Sequence, residues 1–176
     1  MHLVCPELLV SVIMTSMIRV TTHSIDGTKA LATAIGEVLR GGETIELISD
    51  VGGGKTTFVK GLALGLGIDE VIQSPTFTIS RLYNARDGLE LHHFDFYRLS
   101  EAGIVAAELA ESLAQNNAIV AVEWGDIVHD VLPRTRLVIT ITSIGETDRQ
   151  LSFAVPAQYH YIADILTTFT HQQKIA

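Results

Sequence analysis

The sequence predicts a single α/β domain whose mixed, mostly parallel central sheet is flanked by helices and extended by antiparallel hairpins. The length of 176 residues suits one domain that buries a core without disulfides. Hydrophobic residues make up 47% and charged residues 18% of the chain, which is typical of a globular protein. Helix-like and strand-like segments alternate over the first two thirds, and this alternation favours a sheet covered by helices.

The first predicted elements are a helix, a strand and a second helix. Residues 28–39 carry apolar side chains at helical spacing, residues 24–26 can cap that helix, and the glycine pair that follows it at 41–42 ends it. The run TIELIS, residues 44–49, is short and β-rich and predicts a buried strand. A glycine cluster follows directly, and residues 57–68 predict a helix that ends near Gly65–Gly67.

The remaining elements continue the pattern. TFTISRLYN and LELHHFDFY predict two strands, residues 76–84 and 89–97, joined by a hairpin at Asp87-Gly88. An amphipathic helix over residues 101–115 then leads to the apolar strand AIVAVEW, residues 118–124. The last predicted elements are a hairpin of residues 136–143 and 149–155 around Gly145, and a helix over residues 157–169.

Residues 1–18 are predicted to form an extension ahead of the domain, which then occupies residues 19–176. Polar residues and Pro6 interrupt the apolar run, which is shorter than the ~20 residues that span a bilayer. Neither a basic start nor a clear cleavage site marks a secretory signal. A signal peptide or membrane anchor is the alternative, and an upstream start codon, with Met14 or Met17 as the true start, would explain the extension. We therefore expect no membrane association.

Charge and cysteine content argue against several function classes. The formal net charge is −8, and no block of Lys and Arg provides the basic face that proteins binding nucleic acid by themselves use. Any nucleic acid would therefore be held by another subunit. The only cysteine, Cys5, cannot form an internal disulfide, and no Cys/His cluster has zinc-ligand spacing. These features predict a reducing, cytoplasmic location.

The strongest motif is SDVGGGKTT, residues 49–57, between a predicted strand and a predicted helix. Backbone N–H groups of such a loop, together with the positive end of the helix, bind phosphate oxygens. The motif matches the P-loop pattern except that Ser49 replaces the first glycine. An ordinary glycine-rich turn is the alternative. We expect Mg²⁺ on the Thr56 hydroxyl and ATP on Val51, Gly52, Gly53, Gly54, Lys55, Thr56 and Thr57.

Two acids at predicted strand ends are candidates for contacting the metal and the attacking water. Glu123 ends the run AIVAV, a position where P-loop proteins keep such a carboxylate. Asp95 follows LELHHF and could reach the metal from the same edge of the sheet. Either acid could instead only cap a loop. Arg98 could pair with Asp95 or contact phosphate, and an ion pair with Asp95 is the expectation. Of His92 and His93, one is expected to face the core and the other solvent, without binding metal.

Three segments occur in a characteristic order: SDVGGGKTTFVKGLALGLG, then SPTFTISRLY followed by HFDFYRL, and finally VEWGD. Together they resemble the TsaE (YjeE) family of small P-loop ATPases, and the resemblance covers roughly residues 24–155. It implies a P-loop NTPase-like fold and a Mg²⁺-dependent ATPase that is slow without partners. It also implies action with a TsaD–TsaB complex in threonylcarbamoyladenosine modification of the tRNA adenosine next to the anticodon. The chain would then contact tRNA only through its partners.

The same resemblance implies residue roles. Thr56 and Glu123 would hold the magnesium, and Lys55, Asp95 and Glu123 would be catalytic. The resemblance further places Thr76 and Thr78 in a switch-like segment that senses the γ-phosphate, Trp124 beside the site, and the region of Thr28 near the base. Thr76 and Thr78 could instead be ordinary strand residues, and Trp124 could serve packing alone.

Two other functions remain open from the sequence. A small-molecule kinase also uses a P-loop with a strand-end acid, although the arginines are scattered and form no lid-like segment. A non-hydrolysing nucleotide switch would use the same loop, and Ser49 is compatible with it. Phosphoryl acceptors would identify the kinase, and ATP binding without turnover would identify the switch.

Overall fold

A computed structural model of the protein describes residues 15–173. Its strands are β1 (Thr15–Thr22), β2 (Thr44–Ile48), β3 (Ser80–Asn84), β4 (Glu90–Asp95), β5 (Ala118–Glu123), β6 (Leu137–Ser143) and β7 (Arg149–Pro156). Its α-helices are α1 (Ile25–Gly36), α2 (Lys55–Gly65), α3 (Val105–Leu113) and α4 (His160–Gln173). None of the helices in this part of the chain is both long enough and apolar enough to cross a membrane.

All seven strands form one mixed sheet in the order β1-β7-β6-β2-β5-β4-β3. The four central strands, β6, β2, β5 and β4, are parallel. The edge strand β3 and the pair β7 and β1 are antiparallel to their neighbours. This arrangement confirms the predicted fold class.

The burial of each strand explains its sequence pattern. Strands β4 and β5 are covered on both faces. β5 is therefore a nearly continuous apolar run, whereas β4 buries polar side chains among its apolar ones. Strands β6 and β7 have alternating buried and partly exposed residues, so their sequences alternate. The larger core cluster packs α1, α2 and α4 on one face of the sheet, and a smaller cluster packs α3 on the other.

Helices α1 and α2 approach closely because glycines lie at their contact. A Cβ atom on Gly65 would overlap the Thr33 carbonyl oxygen, and one on Gly36 would overlap the Leu62 carbonyl oxygen. This close packing fixes the position of α2, whose first turn follows the glycine-rich loop.

The start of the domain differs from the prediction. β1 begins at Thr15 and pairs antiparallel with β7, so the last four residues of the predicted extension over residues 1–18 belong to the sheet. Residues 1–14 lie outside the described residues. The sequence pattern did not predict β1, because its short run follows directly on another apolar run.

Two further boundaries differ for local backbone reasons. Residues 76–79 form a turn instead of the start of a strand, because the amides of Thr78 and Ile79 both bond to the Pro75 carbonyl. Helix α3 begins at Val105 instead of residue 101, because Gly103 has a positive φ of 46° that a right-handed helix does not allow. Helix α1 begins at Ile25, three residues before the predicted start at residue 28, and Ser24, within the predicted capping stretch, caps it with its side chain.

Candidate nucleotide site

The glycine-rich loop joins the end of β2 to the start of α2. Gly52 and Gly54 have φ values of 75° and 113°, which side chains rarely adopt, so the backbone conformation requires glycine at both positions. The helix begins with the bond from the Phe58 amide to the Gly54 carbonyl. The first amides of α2 therefore have no carbonyl partner within the helix and can bind an anion.

The loop forms one wall of a cavity of about 460 Å³. Eleven sequence-predicted site residues line it: Val51, Gly52, Gly53, Gly54, Lys55, Thr56, Thr57, Thr76, Asp95, Glu123 and Trp124. Four further residues complete the lining: Ser74, Phe77, Tyr97 and Arg98. Thr78 does not line this cavity.

Lys55 is bound by its own loop. Its Nζ donates to the carbonyl oxygens of Ser49 (2.9 Å) and Asp50 (3.1 Å) and to the Ser49 Oγ (3.2 Å). Nζ also lies 4.2 Å from the centre of the Trp124 ring. Burial lowers the pKa of Lys55, whereas the carboxylates of Glu123 and Asp95 act in the opposite direction.

Glu123 ends β5 beside the first turn of α2. Its Oε1 accepts a hydrogen bond from the Thr56 hydroxyl (3.2 Å) and lies 2.9 Å from the Nε2 atom of His93. Trp124 follows in the left-handed region, with φ 58° and ψ 46°. The chain thus turns sharply after Glu123, and the indole ring comes to lie over Lys55.

Asp95 is directly opposite Glu123 in the pairing of β4 with β5. Its Oδ2 accepts hydrogen bonds from Ser74 (2.9 Å) and Thr76 (2.6 Å), and its Oδ1 accepts one from the Tyr97 amide (3.0 Å). Asp95 is 4% exposed, so these donors replace the water that would otherwise solvate the carboxylate. The carboxylate thereby fixes the segment that contains Ser74 and Thr76.

Two expectations about neighbouring residues were wrong. Arg98 does not pair with Asp95: its guanidinium stacks on the exposed Phe77 ring, 4.2 Å from the ring centre. Nor does either histidine face solvent. His93 is fully buried beside Glu123, and His92 is buried on the other face of the sheet. The ring of His92 bonds to Ser112 and Glu90 at 2.9 Å each.

A smaller cavity of about 150 Å³ lies on the other side of the loop, and Thr57 lines both cavities. Ile25, Thr28 and Arg149 also line it. The Nε of Arg149 donates to the Gly53 carbonyl (3.2 Å), which ties the β6–β7 hairpin to the loop. Sequence reasoning missed Arg149, because only the fold brings a hairpin about 100 residues away to the loop.

Known proteins resemble this chain in sequence and in fold. A family model described as "Threonylcarbamoyl adenosine biosynthesis protein TsaE" matches residues 22–151, a range that contains every residue of the larger cavity. The tRNA threonylcarbamoyladenosine biosynthesis protein TsaE of Bacillus subtilis (strain 168) is 37% identical over 149 residues, covering 83% of this chain and 91% of the relative. The protein of the same name from Treponema pallidum (strain Nichols) is 35% identical over 136 residues, covering 77% and 99%. The crystal structure of Bacillus subtilis YdiB matches with a TM-score of 0.71 and 34% identity, covering 88% of this chain and 97% of that one.

Proposed function

The chain belongs to the TsaE family of threonylcarbamoyl adenosine biosynthesis proteins, and from this membership we propose that it is a Mg²⁺-dependent ATPase. In this role it acts with a TsaD–TsaB complex in the threonylcarbamoyladenosine modification of tRNA. The observation that carries the proposal is the meeting of the glycine-rich loop, Asp95 and Glu123 around one cavity of about 460 Å³. Cavities of this size are typical of small-molecule sites.

The loop and the first turn of α2 supply the groups that bind phosphate. Free amides at a helix N-terminus donate to phosphate oxygens, and the helix dipole favours their negative charge. The Nζ of Lys55 already lies against this loop, at the Ser49 and Asp50 carbonyls. We expect Lys55 to exchange part of this contact for the β- and γ-phosphates of bound ATP.

Thr56 and Glu123 would hold the Mg²⁺. Hydroxyl and carboxylate oxygens suit this ion, which usually takes one or two protein carboxylates together with substrate phosphates and water. The Thr56 hydroxyl donates its hydrogen to Glu123 and keeps its lone pairs for a cation. A cation would also balance the charge of bound phosphates, because the carboxylates of Glu123 and Asp95 offset the charge of Lys55 in the cavity. When bound, Mg²⁺ would neutralise charge on the transferring phosphate.

The smaller cavity is the proposed site of the nucleoside. It begins at Thr57, where a chain of phosphates lying on the loop would lead away from Lys55. Ile25 offers apolar contact to a base, and Thr28 and Arg149 offer polar groups. This assignment agrees with the expectation that the region of Thr28 contacts the base.

Hydrolysis would depend on Asp95 and Glu123 for the position of the attacking water. Asp95 also binds Ser74 and Thr76, so the segment that would face the γ-phosphate is tied to the same carboxylate. Arg98 lies at the rim of the cavity against Phe77 and does not contact these acids. An arginine supplied by a partner raises the rate of other P-loop enzymes by ~10³–10⁵, so we expect slow turnover alone and acceleration by the partner complex.

The charge of the chain agrees with this division of labour between the chain and its partners. With a net charge of −8, the partners would hold the tRNA while this chain binds and hydrolyses ATP. We also place the protein in the cytoplasm, where it would meet these partners and tRNA.

ATP hydrolysis by the purified chain, alone and with TsaD–TsaB, tests the proposal. We expect slow turnover alone, a marked increase with the complex, and loss of tight ATP binding in Lys55→Ala. Arg134→Ala is the control for charge removal, because Arg134 is exposed and does not line either cavity. Turnover that ignores the complex, or unchanged ATP affinity in Lys55→Ala, would contradict the proposal.

A further inference from the structure

His93 is a buried side chain that connects the interior of the sheet to the proposed metal site. It lies on β4, is 0% exposed, and its Nε2 atom is 2.9 Å from Oε1 of Glu123. The same Oε1 atom accepts the hydrogen bond from Thr56 at 3.2 Å. One oxygen of Glu123 is therefore bound from two sides, by a strand residue and by a helix residue.

The donor in the contact between His93 and Glu123 is assigned by chemistry. An ionised carboxylate only accepts hydrogen bonds, so the ring proton lies on Nε2 of His93. Both described hydrogen bonds of the Glu123 side chain end on Oε1, and Glu123 lines the cavity. The second oxygen, Oε2, therefore remains for whatever the cavity holds.

The other ring nitrogen of His93 indicates that packing alone does not explain this histidine. Nδ1 is buried and has no hydrogen-bond partner among the described residues. A buried polar atom without a partner destabilises the folded state, whereas an apolar side chain of similar shape would not. What His93 provides in this position is the hydrogen bond to Glu123.

We propose that His93 is a positioning residue: it fixes the carboxylate of Glu123 so that Oε2 faces the Mg²⁺ of the nucleotide. The inference rests on the proposed function. Replacing a residue that hydrogen-bonds to a metal-binding carboxylate and orients it typically lowers metal affinity 10–100-fold. His93 acts before any chemical step, on the strength with which Mg²⁺ joins the bound nucleotide.

The adjacent histidine provides a matched control. His92 lies on the same strand, is 5% exposed and bonds to the carboxylate of Glu90 at 2.9 Å. Its ring points to the opposite face of the sheet, where it contacts Ser112 of α3. Replacing His92 therefore disturbs a comparable buried histidine without touching Glu123.

Trp124 fluorescence supplies the readout. It is the only tryptophan of the chain, and its ring lies over Lys55 in the cavity. ATP is titrated first without Mg²⁺, and MgCl₂ is then titrated into the ATP-bound protein. For His93→Leu we expect an unchanged ATP affinity without Mg²⁺ and an at least ~10-fold higher MgCl₂ midpoint. His93→Gln, whose amide can replace the Nε2 donor, should restore most of the wild-type midpoint, and His92→Leu should leave it unchanged.

The outcomes separate this inference from the proposed function. A wild-type protein that does not bind ATP would overturn the proposed function itself. If the wild-type protein binds ATP and responds to Mg²⁺, but His93→Leu has the same MgCl₂ midpoint, only the role of His93 is overturned. An equal loss in His92→Leu would also overturn it, because the effect would then come from general disturbance of β4. If His93→Leu does not fold, His93→Asn replaces it: its amide is too short to reach Glu123, so a midpoint like that of His93→Gln would overturn the role.

Discussion

The ammonium group of Lys55 is balanced between burial and neighbouring acids. Burial lowers its pKa, and the carboxylates of Glu123, Asp95 and Asp50 oppose that change. The two strand-end acids therefore have a second effect besides any contact with metal: they favour the charged form of the lysine that would bind phosphate. Loss of either acid removes part of that support.

Ser49, which replaces the first glycine of the usual motif, participates directly in binding Lys55. Its hydroxyl accepts from Nζ at 3.2 Å and donates to the Asp50 carbonyl at 3.0 Å. The hydroxyl also lies where a side chain on Gly53 would have to be, at 2.5 Å from the position of its Cβ. Ser49 thus stabilises the loop in the form that binds its own lysine.

We predict that Ser49→Gly binds ATP more tightly, by up to about tenfold. A hydrogen bond to a charged group contributes ~1.5–3 kcal/mol, and ATP has to compete with it for Lys55, although two backbone acceptors remain. Titration of Trp124 fluorescence with ATP measures the change. Ser152→Gly, at a partly buried serine of β7 outside both cavities, is the control for backbone freedom. Weaker ATP binding in Ser49→Gly alone would mean that the hydroxyl assists nucleotide binding.

The sequence predicted the site residues whose type and local spacing determine their place. The loop, Thr56, Asp95 and Glu123 each follow a recognisable strand, and parallel strands bring their carboxyl ends to one edge. Ser74 and the role of His93 were missed, because both act through hydrogen bonds to an acid on another segment. Such contacts depend on the pairing of β4 with β5 and on the turn after residue 74, neither of which has a local pattern.

At the scale of secondary structure, one side chain caps the C-terminal ends of two helices. Arg86 lies between β3 and β4, and its Nη2 donates to the carbonyls of Gly36 (3.2 Å), Glu37 (2.8 Å) and Leu39 (3.0 Å) at the end of α1. Its Nε lies 3.5 Å from the Gly65 carbonyl at the end of α2. A cation at these C-termini also interacts favourably with both helix dipoles.

We predict that Arg86→Ala lowers the free energy of unfolding by about 1–3 kcal/mol, because it leaves several helix carbonyls without a charged donor. Urea denaturation followed by circular dichroism measures the difference. Arg134→Ala, at an exposed arginine, should change stability by less than ~0.5 kcal/mol. Equal stability of the two variants would show that water replaces the guanidinium without cost.

The predictions of secondary structure were wrong where contacts with other segments outweigh the local conformational preference of the sequence. β1 forms by pairing with β7, more than 120 residues later in the chain, and its own sequence carried no comparable signal. Thr76 and Ile79 have strand-like side chains, yet the Pro75 carbonyl accepts two turn bonds and Ile79 adopts a φ of 68°. An isoleucine in this conformation is strained, and the bond from the Asp95 amide to its carbonyl helps to fix it.

At the scale of the whole molecule, the site is assembled from three adjacent parallel strands. β2 leads into the loop, β5 ends with Glu123 and β4 ends with Asp95. The antiparallel strands lie outside this group, and the β6–β7 hairpin reaches the loop from one side through Arg149. The central strands therefore position the residues that we propose to bind phosphate and metal, whereas the antiparallel strands border the site.

The charge of the whole molecule leads to a prediction about tRNA. With 12 Lys and Arg against 20 Asp and Glu, the chain repels a polyanion unless a partner supplies the basic surface. At about 0.15 M salt we expect the chain alone to bind tRNA more weakly than ~100 µM, the weak end of nonspecific binding. Mobility-shift titrations measure this binding. They are done with the chain alone, with TsaD–TsaB alone and with all three proteins together, and we expect the chain to associate with tRNA only in the complete mixture. Low-micromolar binding by the chain alone, strengthened at 50 mM salt, would contradict the division of labour and point to a basic patch within the acidic whole.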